Sequence, residues 1–69
     1  MTIGEQIKAR RLALGMTQID ASAAAGISQG QWCEYERGKY APKASAVMAI
    51  AKALGCRAEF REGQWQLVT

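Results

Sequence analysis

The sequence contains no histidine, one proline and only two cysteines, and these shortages exclude several classes of protein. Cys33 and Cys56 alone cannot supply the four cysteine and histidine ligands of a zinc site. The carboxylates are scattered over the predicted helices, and no glycine-rich loop that could cradle a phosphate is present. We therefore expect neither an enzyme, nor a metal site, nor a bound cofactor.

Long hydrophobic runs are also missing, and none approaches the roughly 20 apolar residues that a membrane span needs. The first residues, Met1 to Glu5, lack the basic and apolar regions of a signal peptide. We therefore expect a cytoplasmic protein without a membrane partner, in which the two thiols stay reduced.

The chain is short, since 69 residues suffice for one domain only. A domain of this size buries about 60% of the surface that its unfolded chain exposes, so it often needs a disulfide, a metal or a second subunit. Oligomerisation is the option that the composition leaves open. Nine basic against six acidic residues give a net charge of +3, which suits an anionic partner without identifying one.

Glycines divide the first part of the sequence into four segments of helical length. Thr2 with Glu5, and Ser28 with Gln31, have the spacing of capping boxes. The predicted helices run from Thr2 to Gly15, from Thr17 to Gly26, from Ser28 to Gly38, and from just after Pro42 to Gly55. Apolar stripes are predicted at Ile3, Ile7 and Leu14 in the first helix and at Val47, Ile50, Ala51 and Leu54 in the fourth, with Lys8, Arg10 and Lys52 facing water.

After Gly55 the hydrophobic period changes from helical to alternating. The alternation predicts two short strands joined by a turn at Glu62-Gly63, which is a weaker turn sequence than Asn-Gly. If Arg61 faces Gln64, one face of this hairpin is apolar and carries Ala58, Phe60, Trp65 and Leu67. Such a hairpin is marginal alone, so this face must pack on the helices or on a second subunit.

The second and third helices are joined through Gly26, and the third begins with the polar run Ser28-Gln29-Gly30-Gln31. A pair of short helices with a polar start on the second helix is the geometry that reaches base edges in the DNA major groove. From the residues alone, Gln29 and Gln31 are better explained as solvated residues at a helix start.

An ordered set of motifs resembles the phage-repressor type of helix-turn-helix protein, the Cro/C1 or XRE-like family. The motifs are Thr17-Gln18, Ala25-Gly26-Ile27-Ser28, Tyr35-Glu36-Arg37-Gly38-Lys39, Pro42 and Ile50-Ala51-Lys52-Ala53-Leu54-Gly55. The resemblance covers about residues 3 to 55. It implies a mainly α, lambda-repressor-like four-helix DNA-binding domain at 1–55, followed here by a C-terminal β-hairpin at 56–69.

The resemblance also implies roles for individual residues. Gln29, Gly30 and Glu34 would face the major groove with Cys33 at its border, Gln29 pairing with adenine and Glu34 with cytosine. Gln18 would bond a phosphate and brace Gln29, and Ser28 would cap the third helix beside a phosphate. Phosphates would also be bound by Arg37, Lys39 and Lys43. Arg11 and Glu36 match an internal ion pair between the first and third helices.

Several residues have plainer interpretations or depart from the family pattern. Trp32, which could stack on single-stranded bases, matches a core position usually filled by isoleucine or valine, and Cys33 fits a half-buried small residue better than a redox sensor. Ala21 stands where leucine is usual, Ser22 where alanine is usual, and Ala44 where a larger aliphatic is common. We expect these changes to shrink the core and Trp32 to refill part of it.

The resemblance predicts a sequence-specific regulator that binds double-stranded DNA, a dimeric Cro-like repressor of a palindromic operator. The hairpin, through Phe60, Trp65 and Leu67, would form the dimer interface; packing on its own helices, or binding another protein, are the alternatives. A second functional hypothesis is an antitoxin-type protein that binds a partner toxin and regulates its own gene through DNA binding.

Overall fold

A computed structural model describes all residues from Met1 to Thr69 and contains four helices followed by one β-hairpin. The helices are α1 (Ile3–Ala13), α2 (Gln18–Ala25), α3 (Gln29–Glu36) and α4 (Ala44–Ala53), and the strands are β1 (Arg57–Arg61) and β2 (Gln64–Val68). The predicted order and type of every element are thus confirmed. None of the four helices has the length and apolar character required to cross a membrane.

Side-chain caps fix the starts of the first three helices. Thr2 and Glu5 form the predicted capping box, in which Thr2 Oγ1 accepts from the Glu5 amide and Glu5 Oε1 accepts from the Thr2 amide. Ser28 Oγ accepts from the amide of Gln31 at 3.2 Å, which caps α3. The predicted second capping box is wrong, because the side-chain amide of Gln31 donates to the Tyr35 hydroxyl and forms no hydrogen bond with the backbone N–H of Ser28.

The core lies between all four helices and is centred on Trp32, which is completely buried. Its indole packs in one cluster with Ile7, Ala21, Ile50 and Leu54. The core prediction for Trp32 is therefore confirmed, and its large ring lies in the same cluster as the small Ala21 side chain. The predicted stripe on α4 is also buried, comprising Val47, Ile50, Ala51 and Leu54.

Two expectations for α1 are wrong. Leu14 is 43% exposed at the end of the helix, and the buried face is formed by Gly4, Ile7 and Arg11. Arg10, expected to face water, is half-buried and donates from Nε to the carbonyl oxygen of Leu54 at 3.1 Å. A cation at the carbonyl end of α4 is favoured by the helix dipole.

The family departures have unequal consequences for packing. Ala21 and Ser22 are buried, so their small side chains do limit the core. Ala44 is exposed as the first residue of α4, so its size does not affect the core.

The hairpin has the predicted register, with Ala58 opposite Leu67 and Phe60 opposite Trp65. It packs on α1 and α4, and Leu67 lies against the helical core. The Leu67 amide donates to Gln6 Oε1 at 2.8 Å, which ties β2 to α1. Both turn residues have positive φ, 52° at Glu62 and 79° at Gly63, as the tightest hairpin turns require.

Candidate nucleic-acid interface

Helices α2 and α3 form a helix-turn-helix unit with only Gly26, Ile27 and Ser28 between them. Gly26 ends α2 with φ of 71°, a left-handed conformation that favours glycine. Ile27 packs against the core, and Ser28 then starts α3. The turn therefore fixes the direction of α3 relative to α2 through a conformational requirement, an apolar anchor and a cap.

The two sides of α3 have opposite character. Trp32, Tyr35 and Glu36 are buried on the inner side. Gln29 and Gly30 are exposed on the outer side, and Cys33 and Glu34 follow one turn later, half-buried. The helix thus brings together on one face all four residues predicted to contact bases.

The free polar groups on the outer face of α3 are few. Gln29 is exposed at the first position of the helix, and its amide offers both a donor and an acceptor. Gln31 is also exposed, but its amide nitrogen donates to the buried Tyr35 hydroxyl at 2.9 Å. Gln29 is therefore better placed than Gln31 to bond an external partner.

The inner side of α3 is held by the carboxylate of Glu36. It accepts two hydrogen bonds from Arg11, at 2.7 and 3.1 Å, and one from the indole of Trp32 at 2.6 Å. The predicted pair between Arg11 and Glu36 is thus present, with both side chains less than a tenth exposed. Because Arg11 also donates to the carbonyl of Met16, this cluster joins α1, the turn after it and α3.

The same carboxylate also binds Gln18, the first residue of α2, whose Nε2 lies 3.0 Å from Glu36 Oε1. In the protein without DNA the Gln18 amide nitrogen donates to Glu36. The contact between Gln18 and Gln29 on DNA stays a prediction. Glu36 thereby connects α2 as well as α1 to α3. Its role as a junction of three helices was not predicted from the sequence.

Opposing effects act on the ionisation of Glu36. Burial alone would raise the pKa of this carboxyl group, but hydrogen bonds from Arg11, Gln18 and Trp32, together with the charge of Arg11, lower the pKa below its ordinary value of 4.5. The hydrogen bond to Glu36 in turn raises the pKa of Arg11. The pair is therefore charged at neutral pH.

Three exposed cations follow the outer face of α3, namely Arg37, Lys39 and Lys43. Lys39 Nζ lies 3.4 Å from Glu34 Oε2 and 5.5 Å from the ring centre of Tyr40. An exposed ion pair of this kind contributes about 0 to 1 kcal/mol, so it can readily exchange for a phosphate.

Tyr40 is a residue that the sequence analysis missed. Its side chain is 56% exposed and lines a groove beside α3 together with Gly30, Glu34 and Lys43. The only sequence feature that pointed to Tyr40 is its position in the loop after α3. Its place beside Gly30 depends on how that loop folds back.

The residues predicted for a dimer interface differ in exposure. Phe60 is 60% exposed, Trp65 is half-buried against it with the rings edge to face at 5.2 Å, and Leu67 is partly used by the core of its own chain. The cysteines are both free and half-buried, and burial raises the pKa of the Cys56 thiol. No group of three or more carboxylate and thiol side chains is arranged to hold a metal ion.

Four helices with this helix-turn-helix unit and its polar outer face define the class of phage-repressor-like DNA-binding domains. The helix-turn-helix family matches residues 7–60. The chain belongs to this family, in its Cro/C1 or XRE-like branch.

Similar proteins include phage repressors. The immunity repressor protein of Bacillus phage phi105 is 34% identical over 68 residues, covering 99% of this chain and 47% of the relative. The chain thus spans about half the length of this curated relative.

Two solved structures of the P22 C2 repressor are similar, each with 32% sequence identity over 81% of this chain. The DNA-binding domain of that repressor in solution, of which 74% is covered, superposes with a TM-score of 0.78. The crystal structure of the repressor in complex with a synthetic operator superposes with a TM-score of 0.76, and the match covers 85% of the repressor chain.

Proposed function

We propose that this protein is a sequence-specific regulator that binds double-stranded DNA, a dimeric Cro-like repressor of a palindromic operator and not an enzyme. The observation that carries the proposal is the outer face of α3, where Gln29, Gly30, Cys33 and Glu34 lie together at the exposed end of a capped helix. The P22 C2 repressor, which shares this fold, is known in complex with operator DNA.

Base recognition would start at the first turn of α3. Gln29 can form two hydrogen bonds with adenine, and the Glu34 carboxylate can accept from the amino group of cytosine. For this contact Glu34 exchanges its ion pair with Lys39, and Lys39 then binds a phosphate. Arg37 and Lys43 bind the DNA backbone on the same side, which fixes the register of the helix without specifying sequence.

Gln18 has a role at the junction of α2 and α3. Its side chain is held by Glu36, which fixes the start of α2 against the inner side of α3, and Ser28 caps the start of α3. Helix N-termini favour phosphate groups, because their amide groups and dipole attract negative charge. Gln18 and Ser28 would therefore contact the backbone on either side of the bases bound by α3.

Dimerisation would use the apolar face of the hairpin, where Phe60 remains exposed and Trp65 half-exposed after the hairpin has packed on α1 and α4. Two copies joined there would present two α3 helices to one side of the DNA. Such a dimer requires half-sites about one helical turn apart, roughly 10 bp between their centres.

The proposal is tested by selecting bound sequences from a random library of double-stranded DNA at about physiological salt, which is held constant because phosphate contacts make affinity steeply salt-dependent. We expect enrichment of a palindrome with that half-site spacing. Binding without enrichment would contradict sequence specificity, and enrichment of a single half-site would contradict the dimer.

The exposed Phe60 also fits the antitoxin-type alternative, in which the hairpin face binds a toxin. Co-expression with the product of the adjacent gene distinguishes the two. A stable complex that blocks the hairpin face would support the alternative, and recovery of a homodimer alone would support the repressor.

A further inference from the structure

The glycines of this chain fall into two groups. Five have positive φ, between 66° and 79°, and so adopt a conformation that other residues rarely reach. These five are Gly15, Gly26, Gly38, Gly55 and Gly63. A sixth, Gly4, lies against the backbone of α3, where a Cβ would collide with the carbonyl oxygen of Tyr35. The fold therefore explains why six of the seven glycines are glycine, and Gly30 is the one that it does not explain.

Gly30 has none of these reasons. Its backbone is not among those with positive φ, and a Cβ built on it meets no atom of the protein within 4 Å. Glycine disfavours a helix relative to alanine, because it loses more backbone freedom on folding. Folding alone would thus favour alanine at this position, and the fold supplies no reason for glycine.

The position of Gly30 indicates which chemical group of a partner would contact it. It is exposed on the outer face of α3 between Gln29 and Gln31, and it lines the groove formed with Glu34, Tyr40 and Lys43. Because Gly30 has no side chain, its Cα–H groups and the helix backbone come within contact distance of a partner. Among the base edges of the major groove, the only apolar group is the 5-methyl group of thymine.

We infer, on the basis of the proposed function, that Gly30 is a specificity-determining residue whose missing side chain makes room for a thymine methyl group against the backbone of α3. The methyl group fills the space that a Cβ would occupy, while Gln29 and Glu34 form the polar contacts on either side. Gly30 therefore selects a thymine by shape rather than by a hydrogen bond.

The test compares wild type with Gly30→Ala and Gly30→Val on the selected operator and on a random duplex. Gly30→Ala is expected to raise the urea midpoint of unfolding and yet to bind the operator about tenfold more weakly, the order of one mismatched base pair. Gly30→Val should bind the operator more weakly still, and for both variants the loss of affinity for the operator should exceed any loss of affinity for the random duplex.

A second measurement replaces each thymine of the operator in turn by uracil, which removes only the methyl group. We expect one replacement in each half-site to weaken wild-type binding and to leave the binding of Gly30→Ala unchanged.

Operator affinity equal to wild type in Gly30→Ala, or indifference of the wild type to every uracil replacement, would overturn the inference while leaving the proposed function intact. Failure of the wild type to enrich any sequence would reject the proposed function, and the inference with it.

Discussion

Glu36 carries more of the architecture than any other polar residue. Its carboxylate accepts from Arg11, Gln18 and Trp32, and those donors come from α1, α2 and α3 itself. A buried charged pair is costly to desolvate, so its net contribution to stability can be small, but removal of one partner leaves the other charge uncompensated. The orientation of α3 therefore depends on an ionised Glu36.

Glu36→Gln should lower the free energy of unfolding by about 3 kcal/mol at neutral pH, because Arg11 is left buried without a counter-charge. The pKa of Glu36 is lowered by folding from its ordinary value of 4.5, so its stabilising effect is complete above that pH and is lost as the pH falls through the folded-state pKa. The difference between wild type and variant should therefore shrink in acid.

Urea unfolding from pH 7 to pH 3 measures this difference. Glu62→Gln is the matched control, since Glu62 is exposed on the hairpin turn and forms no ion pair. If the difference in free energy of unfolding between Glu36→Gln and wild type stays constant with pH, the stabilising role of an ionised Glu36 is contradicted.

At the proposed DNA interface, we expect Gln29 to contribute most to base recognition. Gln29→Ala should weaken binding to the selected operator by about tenfold or more, because a bidentate contact to adenine contributes roughly 1 to 3 kcal/mol of discrimination. Binding to random duplex should barely change. Titration of both duplexes measures this, with Gln64→Ala on the hairpin as control, and an equal loss on both would exclude Gln29 as a base contact.

Spacing rules and the family pattern each predicted some residues correctly. The Thr2 and Glu5 box follows from spacing alone, and the burial of Trp32 follows from its place in the family pattern. The contacts of Arg10 with Leu54 and of Gln18 with Glu36 could not be predicted in this way, because each joins separate helices and depends on their packing.

Among the elements, the hairpin is held by a turn of imperfect sequence. Glu62 has φ of 52°, which costs a non-glycine residue about 1 kcal/mol, and asparagine tolerates this region better. Glu62→Asn should therefore raise the free energy of unfolding by up to about 1 kcal/mol. Thermal and urea unfolding measure the gain; unchanged stability would mean that the turn is not strained.

The hairpin face is the proposed dimer element. Trp65→Lys should convert the dimer to a monomer and reduce operator affinity, because a charge would be placed on the apolar face beside Phe60. Light scattering and operator titration measure both effects. Gln64→Lys adds the same charge on the opposite face of β2 and should change neither; an intact dimer in Trp65→Lys would rule out this face.

Hairpin register was predictable because alternation and a two-residue turn leave one pairing that keeps the apolar side chains on one face. The difference in exposure between Phe60 and Leu67 could not be predicted, because it depends on where the hairpin lies across α1 and α4. Similarly, the expected α1 stripe failed at Leu14, because α1 ends there and a charged residue, Arg11, occupies the inner face.

At the scale of the whole molecule, the net charge of +3 matters less than its distribution. Arg37, Lys39 and Lys43 follow the outer face of α3, and Lys52 lies at the other end of α4. If each of the three cations that follow α3 binds a phosphate, as proposed, a dimer makes six such contacts, and the logarithm of affinity should fall with the logarithm of salt concentration with a slope of about −5.

Lys43→Gln should reduce that slope by about 2 and weaken binding to all sequences alike, because it removes two phosphate contacts per dimer. Titrations at several salt concentrations measure the slope, and Lys52→Gln should leave it unchanged. Equal slopes for Lys43→Gln and wild type would exclude Lys43 from the backbone contacts.

The family pattern predicted where α3 lies and which of its faces is exposed, because the position of α3 follows from the order of the helices. The family pattern did not predict the groove beside α3, because the groove forms where the loop carrying Tyr40 folds back next to Gly30.

The two tryptophans give the protein a pair of internal optical reporters. Trp32 is fully buried and its indole nitrogen donates to a carboxylate, whereas Trp65 is half-exposed on the hairpin beside Phe60. Fluorescence of a Trp65→Phe variant therefore follows the junction beneath α3 alone, and that of a Trp32→Phe variant follows the hairpin alone. Unfolding at each of these two places can thus be recorded separately with no added label.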